Sequence, residues 1–221
     1  MFKKLNILNS SVKFIIMRLR FDKNAEEKLK TSNFYAGNES FPIILDEKCI
    51  VEVGMGKGEM LVELARLNPR IKFYGLEKYA TVAVKAVKKA EEYKLNNFKI
   101  ILDDAQNIPQ IFKGSLNTLW LTFSDPWPKA RHFRRRLTHK SFLDLYAGIM
   151  DENSILKFKS DNDSLYQFSL ESFTENNWKI IDFGSNLHIS QYARENIMTG
   201  YEKKWSSLGK NINFIYAKKS C

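Results

Sequence analysis

The chain predicts a single α/β domain, doubly wound around a mostly parallel sheet. Three observations lead there. Short apolar runs alternate with segments of helical periodicity, a glycine-rich turn joins the first clear strand to the first clear helix, and an acidic residue closes the second strand. Residues 49 to 53 (CIVEV) read as a strand, and 59 to 67 (EMLVELARL) repeat apolar positions at helical spacing until Asn68-Pro69 stops them. The unit recurs as a strand at 71 to 76, a helix at 80 to 93 and a strand at 98 to 102. Right-handed crossovers between such strands give a parallel sheet. Residues 117 to 123 (NTLWLTF) predict a fully buried strand, 141 to 150 a helix, 154 to 160 a strand, 164 to 175 a helix, and 178 to 184 and 211 to 219 the last strands. No linker, repeat or low-complexity segment interrupts the series.

At 221 residues and 44% hydrophobic content the chain can bury one sizeable core. A net charge of +10 favours an anionic partner, because a basic surface attracts a phosphate polymer and releases its counterions. Cys49 and Cys221 suit neither a disulfide framework nor a metal cluster, and a reducing cytoplasm is the expected setting. His132, His139 and His188 are scattered, so no metal is expected. The apolar stretch from Val12 to Met17 is too short to span a bilayer, so no membrane insertion is expected either. Residues 1 to 30 lack the alternating pattern and carry much positive charge, which predicts a flexible basic arm ahead of a domain over 31 to 221.

The string VEVGMGKGE places Gly54, Gly56 and Gly58 at a strand-to-helix turn, where missing side chains let backbone amides and a nucleoside approach closely. Glu77 follows the second strand at the separation expected of a carboxylate that accepts two ribose hydroxyls. The spacing GxGxG differs from the GxGxxG of dinucleotide-binding folds, and Glu52 within the first strand is more typical of methyltransferases, which leaves an oxidoreductase as runner-up. Asp103, Asp104 and Ala105 end the third strand, where a side chain can reach the adenine end of a ligand and one aspartate can cap a helix.

The stretch SDPWPKARHFRRRL follows the fourth of these strands. Asp125 falls at the carboxyl edge beside the topological switch, and the two prolines are expected to hold Trp127 in an extended turn. A carboxylate and an aromatic face presented together suit an unstacked base. Arg131, Arg134, Arg135 and Arg136 follow within six positions, and phosphate binding explains them better than a solvated face does.

The ordered segments VEVGMGKGE, GLEK, LDDA, FSDPWPKARHFRRRL, FKSDN and NIMTGYEKK together resemble the tRNA (guanine-N7-)-methyltransferase family over roughly residues 17 to 218. The resemblance implies a class I, Rossmann-like methyltransferase fold with seven strands, the last antiparallel. It implies transfer of a methyl group from S-adenosylmethionine, leaving S-adenosylhomocysteine, to N7 of the variable-loop guanosine at position 46 of tRNA. By the same resemblance Glu52, Glu77, Asp104 and Asp125 contact S-adenosylmethionine, with Asp125 also catalytic. Lys129, Asp161 and the segment Thr199, Gly200, Tyr201 and Glu202 contact the guanosine, and Arg131 to Arg136 touch RNA. The family begins near a stretch like MRLRFDKNAEEKL, so residues 1 to 16 resemble an extension or a misplaced start.

Guanine N7 has a lone pair and no proton, so its methylation needs alignment more than a base. Cytosine-C5 methylation needs a cysteine nucleophile, which neither Cys49 nor Cys221 is placed to be. Methylation of an exocyclic amine, or of a ribose hydroxyl assisted by Lys157 or Lys159, stays open as an alternative, as does a non-catalytic RNA-binding protein. Monomer and homodimer are both compatible with the sequence.

Overall fold

A computed structural model of the chain describes residues 22–220. Its strands are β1 (Ile43–Leu45), β2 (Cys49–Val53), β3 (Lys72–Glu77), β4 (Phe98–Leu102), β5 (Phe112–Gly114), β6 (Thr118–Thr122), β7 (Ile155–Ser160), β8 (Trp178–Gly184) and β9 (Asn213–Lys219). Its helices are α1 (Ala25–Lys30), α2 (Glu59–Leu67), α3 (Ala80–Glu92), α4 (Ile108–Ile111), α5 (Lys140–Ala147), α6 (Asp163–Glu175) and α7 (Gly200–Ser207).

Seven strands form one sheet in the order β4-β3-β2-β6-β7-β9-β8, and β9 alone runs against the direction of the other six. This is the expected doubly wound sheet with an antiparallel last strand. β2 and β6 lie at its centre, so their residues are buried almost without alternation, as strands covered on both faces must be. One apolar core joins Leu119 and Leu121 of β6 to Leu143 and Tyr146 of α5 and to Phe173 of α6. A second joins Phe73 of β3 and Ile100 of β4 to Leu61 of α2, Ala86 of α3 and Leu29 of α1, and a small third one gathers Leu187, Ile212, Phe214 and Tyr216.

The structure departs from the sequence expectation in several places, the short helices α4 and α7 among them. Residues 22 to 30 fall in the arm expected to be flexible, yet α1 buries Ala25 and Leu29, the latter in the second core, and Asp22 N donates to Thr81 Oγ1 at 3.4 Å. Two well-spaced apolar positions are enough to dock a short helix whose other side chains are charged. The rest of that arm lies outside the described residues. The small parallel sheet of β1 and β5 was not expected at all, because strands of three residues are too short to show a pattern. Among the described residues no helix is long and apolar enough to cross a membrane.

Candidate active site

At the carboxyl edge of the sheet, where strand order reverses between β2 and β6, lies a cavity of about 640 Å³. β2 leads into it through the glycine turn. Gly56 and Gly58 adopt left-handed backbone with φ of 58° and 64°, which glycine enters without steric cost. A Cβ at Gly56 would meet nothing within 4 Å, whereas one at Gly58 would come within 2.9 Å of Ala86 Cβ. Gly56 therefore opens onto the cavity, and Gly58 lets α2 pack on α3.

Glu77 ends β3, lines the cavity and holds this turn in place. Its Oε2 accepts from Gly56 N and its Oε1 from Tyr79 N, both at 3.0 Å. Burial raises its carboxyl above the ordinary range, and the backbone donors oppose that. Each oxygen keeps a lone pair for a further donor. Asp103 and Asp104 line the same wall. Asp104 is the capping aspartate of the pair, its Oδ1 accepting from Gln106 N at 3.0 Å, which leaves Oδ2 turned toward Lys78 Nζ at 3.9 Å.

Glu52 lies in the strand itself and is not among the residues lining the cavity. It is 1% exposed, and Oε1 accepts from Thr122 Oγ1 at 2.5 Å while Oε2 has no partner among the described residues. Burial pushes its carboxyl up to about 7, against the pull of the Thr122 hydrogen bond and of Lys159.

Asp125 is exposed and lines the cavity with Phe123, Ser124 and Trp127. The turn that carries it is not extended as the prolines suggested. Trp127 takes φ of 41° and Phe123 takes φ of 50°, both in the left-handed region. Such backbone persists only where its surroundings impose it, and here Arg136 does so. Its Nε donates to Pro126 O at 2.9 Å, its Nη2 donates to Trp127 O at 3.3 Å, and its guanidinium stacks 4.4 Å from the Phe168 ring centre. Arg136, expected to touch RNA, is thus taken up in bracing the turn. Arg134 and Arg135 line the cavity, with Arg135 4.9 Å above the Trp127 ring, while Lys129 and Arg131 are exposed on the surface beside it.

The segment from Thr199 to Glu202 divides in the same way. Thr199 caps α7 by accepting from Glu202 N at 3.0 Å, and Gly200 N donates to the carboxylate of Glu59 at the start of α2. Tyr201 is exposed, donates to Asp161 Oδ2 at 3.1 Å and sets its ring 5.2 Å from Phe123. Burial and the Asp161 charge push its hydroxyl up to about 12. Glu202 is fully buried and bound to Lys159, so it does not face the cavity. Lys157 packs on the faces of Trp120 and Tyr216, Lys159 is bound to Glu202, and neither lines the cavity where a ribose hydroxyl would need assistance.

Residues that sequence reasoning passed over are Tyr79 and Ser124. Tyr79 lines the cavity 54% exposed, with Lys78 Nζ 5.1 Å from its ring, and its position two residues after Glu77 was the available signal. Ser124 Oγ is buried at the cavity without a partner among the described residues. No cluster of His, Cys, Asp and Glu among the described residues is arranged to hold a metal.

The family model described as "Putative methyltransferase" matches residues 46–215. A tRNA (guanine-N(7)-)-methyltransferase of Mycoplasmopsis agalactiae is 58% identical over 92% of this chain and 99% of its own length. The enzyme of the same name from Mycoplasmopsis pulmonis is 49% identical over 90% of this chain and 97% of its own. Among solved structures, the 30S ribosomal A1408 methyltransferase from an uncultured bacterium superposes with a TM-score of 0.56 at 17% identity, covering 90% of this chain and 95% of that one, a likeness of fold. With the cavity at the switch point, the glycine turn and the Asp125 loop all in place, the chain belongs to the tRNA (guanine-N7-)-methyltransferase family.

Proposed function

We propose that the protein transfers the methyl group of S-adenosylmethionine to N7 of a guanosine in tRNA, the target being the variable-loop guanosine at position 46. The observation that carries this reading is the single cavity shared by the glycine turn, Glu77, Asp125 and the Arg134-Arg135 pair. It brings together a nucleoside-binding edge, a carboxylate at the switch point and two phosphate-binding cations.

The residues fit the cosubstrate. Carboxylates of Glu77, Asp103, Asp104 and Asp125 border the cavity, which suits a ligand bearing ribose hydroxyls and two positive centres. The bare backbone at Gly56 leaves room for it. When bound, S-adenosylmethionine supplies a methyl group activated by its positively charged sulfur. Glu77 would hold the ribose through its free lone pairs, and Asp104 Oδ2 would serve the adenine side. Asp125 aligns the guanine and favours the positive charge that the purine gains on methylation. The family resemblance gives Asp161, Tyr201 and Lys129 to the guanosine, and the contact of Tyr201 with Phe123, which lines the cavity, supports that reading. Arg134, Arg135 and Arg131 neutralise phosphates around it. A tRNA substrate supports a cytoplasmic setting for the enzyme.

The test uses two tRNA transcripts that differ only at position 46. The guanosine transcript accepts one methyl group, and the transcript with adenosine there accepts none. Equal methylation of both would overturn the assignment of the target position.

A further inference from the structure

We propose that the buried Lys159–Glu202 ion pair is a latch that positions the base-binding wall of the site, and that Glu202 acts through it rather than on the guanosine; this rests on the methyltransferase reading above. Lys159 stands near the end of β7 and is 0% exposed. Its ammonium donates to Glu202 Oε2 at 2.6 Å, Asn196 Oδ1 at 2.9 Å and Ile197 O at 3.0 Å, so all three protons are used. Glu202 is equally buried. Its Oε1 accepts from Asn196 Nδ2 at 2.7 Å and lies 2.8 Å from His188 Nε2, whose Nδ1 is 3.4 Å from Ser206 Oγ. Glu52 is the remaining charged group that acts on the lysine, and the rings of Trp120 and Phe123 lie 5.7 Å and 5.8 Å from its ammonium. Burial alone would raise the Glu202 carboxyl, but the Lys159 charge and the hydrogen bonds hold it below the usual range, while burial lowers the Lys159 ammonium against the pull of Glu202 and Glu52.

An ion pair this deep loses two hydration shells, and an apolar pair of the same volume would often stabilise as well or better. What it supplies here is one fixed arrangement. It ties residues 196 to 202 to the end of β7, where Tyr201 meets Asp161 and Phe123. The same segment reaches Glu59 through Gly200 N, which joins it to the helix that follows the glycine turn. The cofactor side and the base side of the cavity are therefore registered to each other through a residue that faces neither.

Lys159→Met, Glu202→Gln and the double variant, measured by single-turnover methylation at saturating tRNA and cofactor, test this. Cofactor binding is followed by calorimetry on the same preparations. Each single change is expected to slow the step by about a hundredfold, the scale of a misplacement of about an ångström. Half-saturation by tRNA and cofactor affinity should change by less than about threefold, because phosphate contacts and the glycine turn lie outside the latch. The double variant should be no slower than the slower single, since both open the same latch. Where a single variant fails to fold, Lys159→Met combined with Glu202→Leu fills the space without a lone buried charge. A slow step with cofactor affinity intact in that protein supports the latch, and parent-like methylation by it overturns the proposal. Parent-like rates in either single variant, or additive losses in the double, also overturn it, additivity being the mark of Glu202 touching guanosine directly. A parent protein that leaves tRNA guanosine unmethylated overturns the functional reading instead.

Discussion

Asp125 is an exposed carboxylate at the end of a strand whose residues are all buried, and it owes its orientation to a turn braced by Arg136. Asp125→Asn keeps the shape and removes the charge. Single-turnover methylation should fall by roughly a hundredfold, the effect of deleting one preorganised electrostatic group, with little change in tRNA affinity. Recovery of the rate at higher cofactor concentration would move Asp125 from aligning the base to binding the cofactor. Glu52 supports a prediction of a different kind. Its folded-state carboxyl sits at about 7 against an ordinary value of 4.5, so between those limits the folded state holds the extra proton and stability falls as pH rises. Glu52→Gln should therefore be more stable relative to the parent at pH 8 than at pH 5, as read from denaturant midpoints. An offset that does not vary with pH would contradict the placement of that buried charge. Both residues were visible in the sequence because strand ends and glycine turns mark them. The inward role of Glu202 was not, since its partner lies 43 positions away and only the folded sheet brings them together.

The glycine turn and the arginine turn behave as elements. Gly58→Ala would force a side chain into φ of 64° and against Ala86, a strain of roughly 1–3 kcal/mol. A lower melting temperature with weakened cofactor binding is expected, and an unchanged melting temperature would mean that α2 and α3 readily shift apart. In the 3-10 turn Ala130–Arg135 and its cap Arg136, the sequence shows four equivalent arginines where the fold makes two kinds. Arg134→Ala with Arg135→Ala should weaken tRNA binding and flatten the plot of log affinity against log salt by roughly 0.7 to 0.9 per lost contact. Arg136→Ala should instead leave that slope unchanged, lower the melting temperature and slow turnover by releasing the Asp125 turn. The opposite pattern in the two variants would reverse these assignments. Sequence spacing cannot tell a phosphate ligand from a brace, because the difference lies in whether a backbone carbonyl stands within reach.

At the scale of the whole molecule, the alternation of apolar strands and amphipathic helices made the seven-stranded sheet legible, with strand limits differing by one or two residues at most. Hidden elements were those too short to show a pattern, α4 with its four residues among them, or without an apolar stripe. α7 buries only Glu202, β1 and β5 are three residues each, and α1 sits among charges. A fold is read from what it buries, and these pieces are held by polar contacts or by very few apolar ones. The net charge of +10 and the arginines at the cavity mouth suit a polyanionic substrate, yet they would suit a non-catalytic RNA binder equally well. Chemistry separates the two. Incubation of the purified protein with methyl-labelled S-adenosylmethionine and bulk tRNA, followed by digestion to nucleosides, should place the label in N7-methylguanosine. Label in another nucleoside, or tRNA that is bound and left unlabelled, would contradict the assigned reaction.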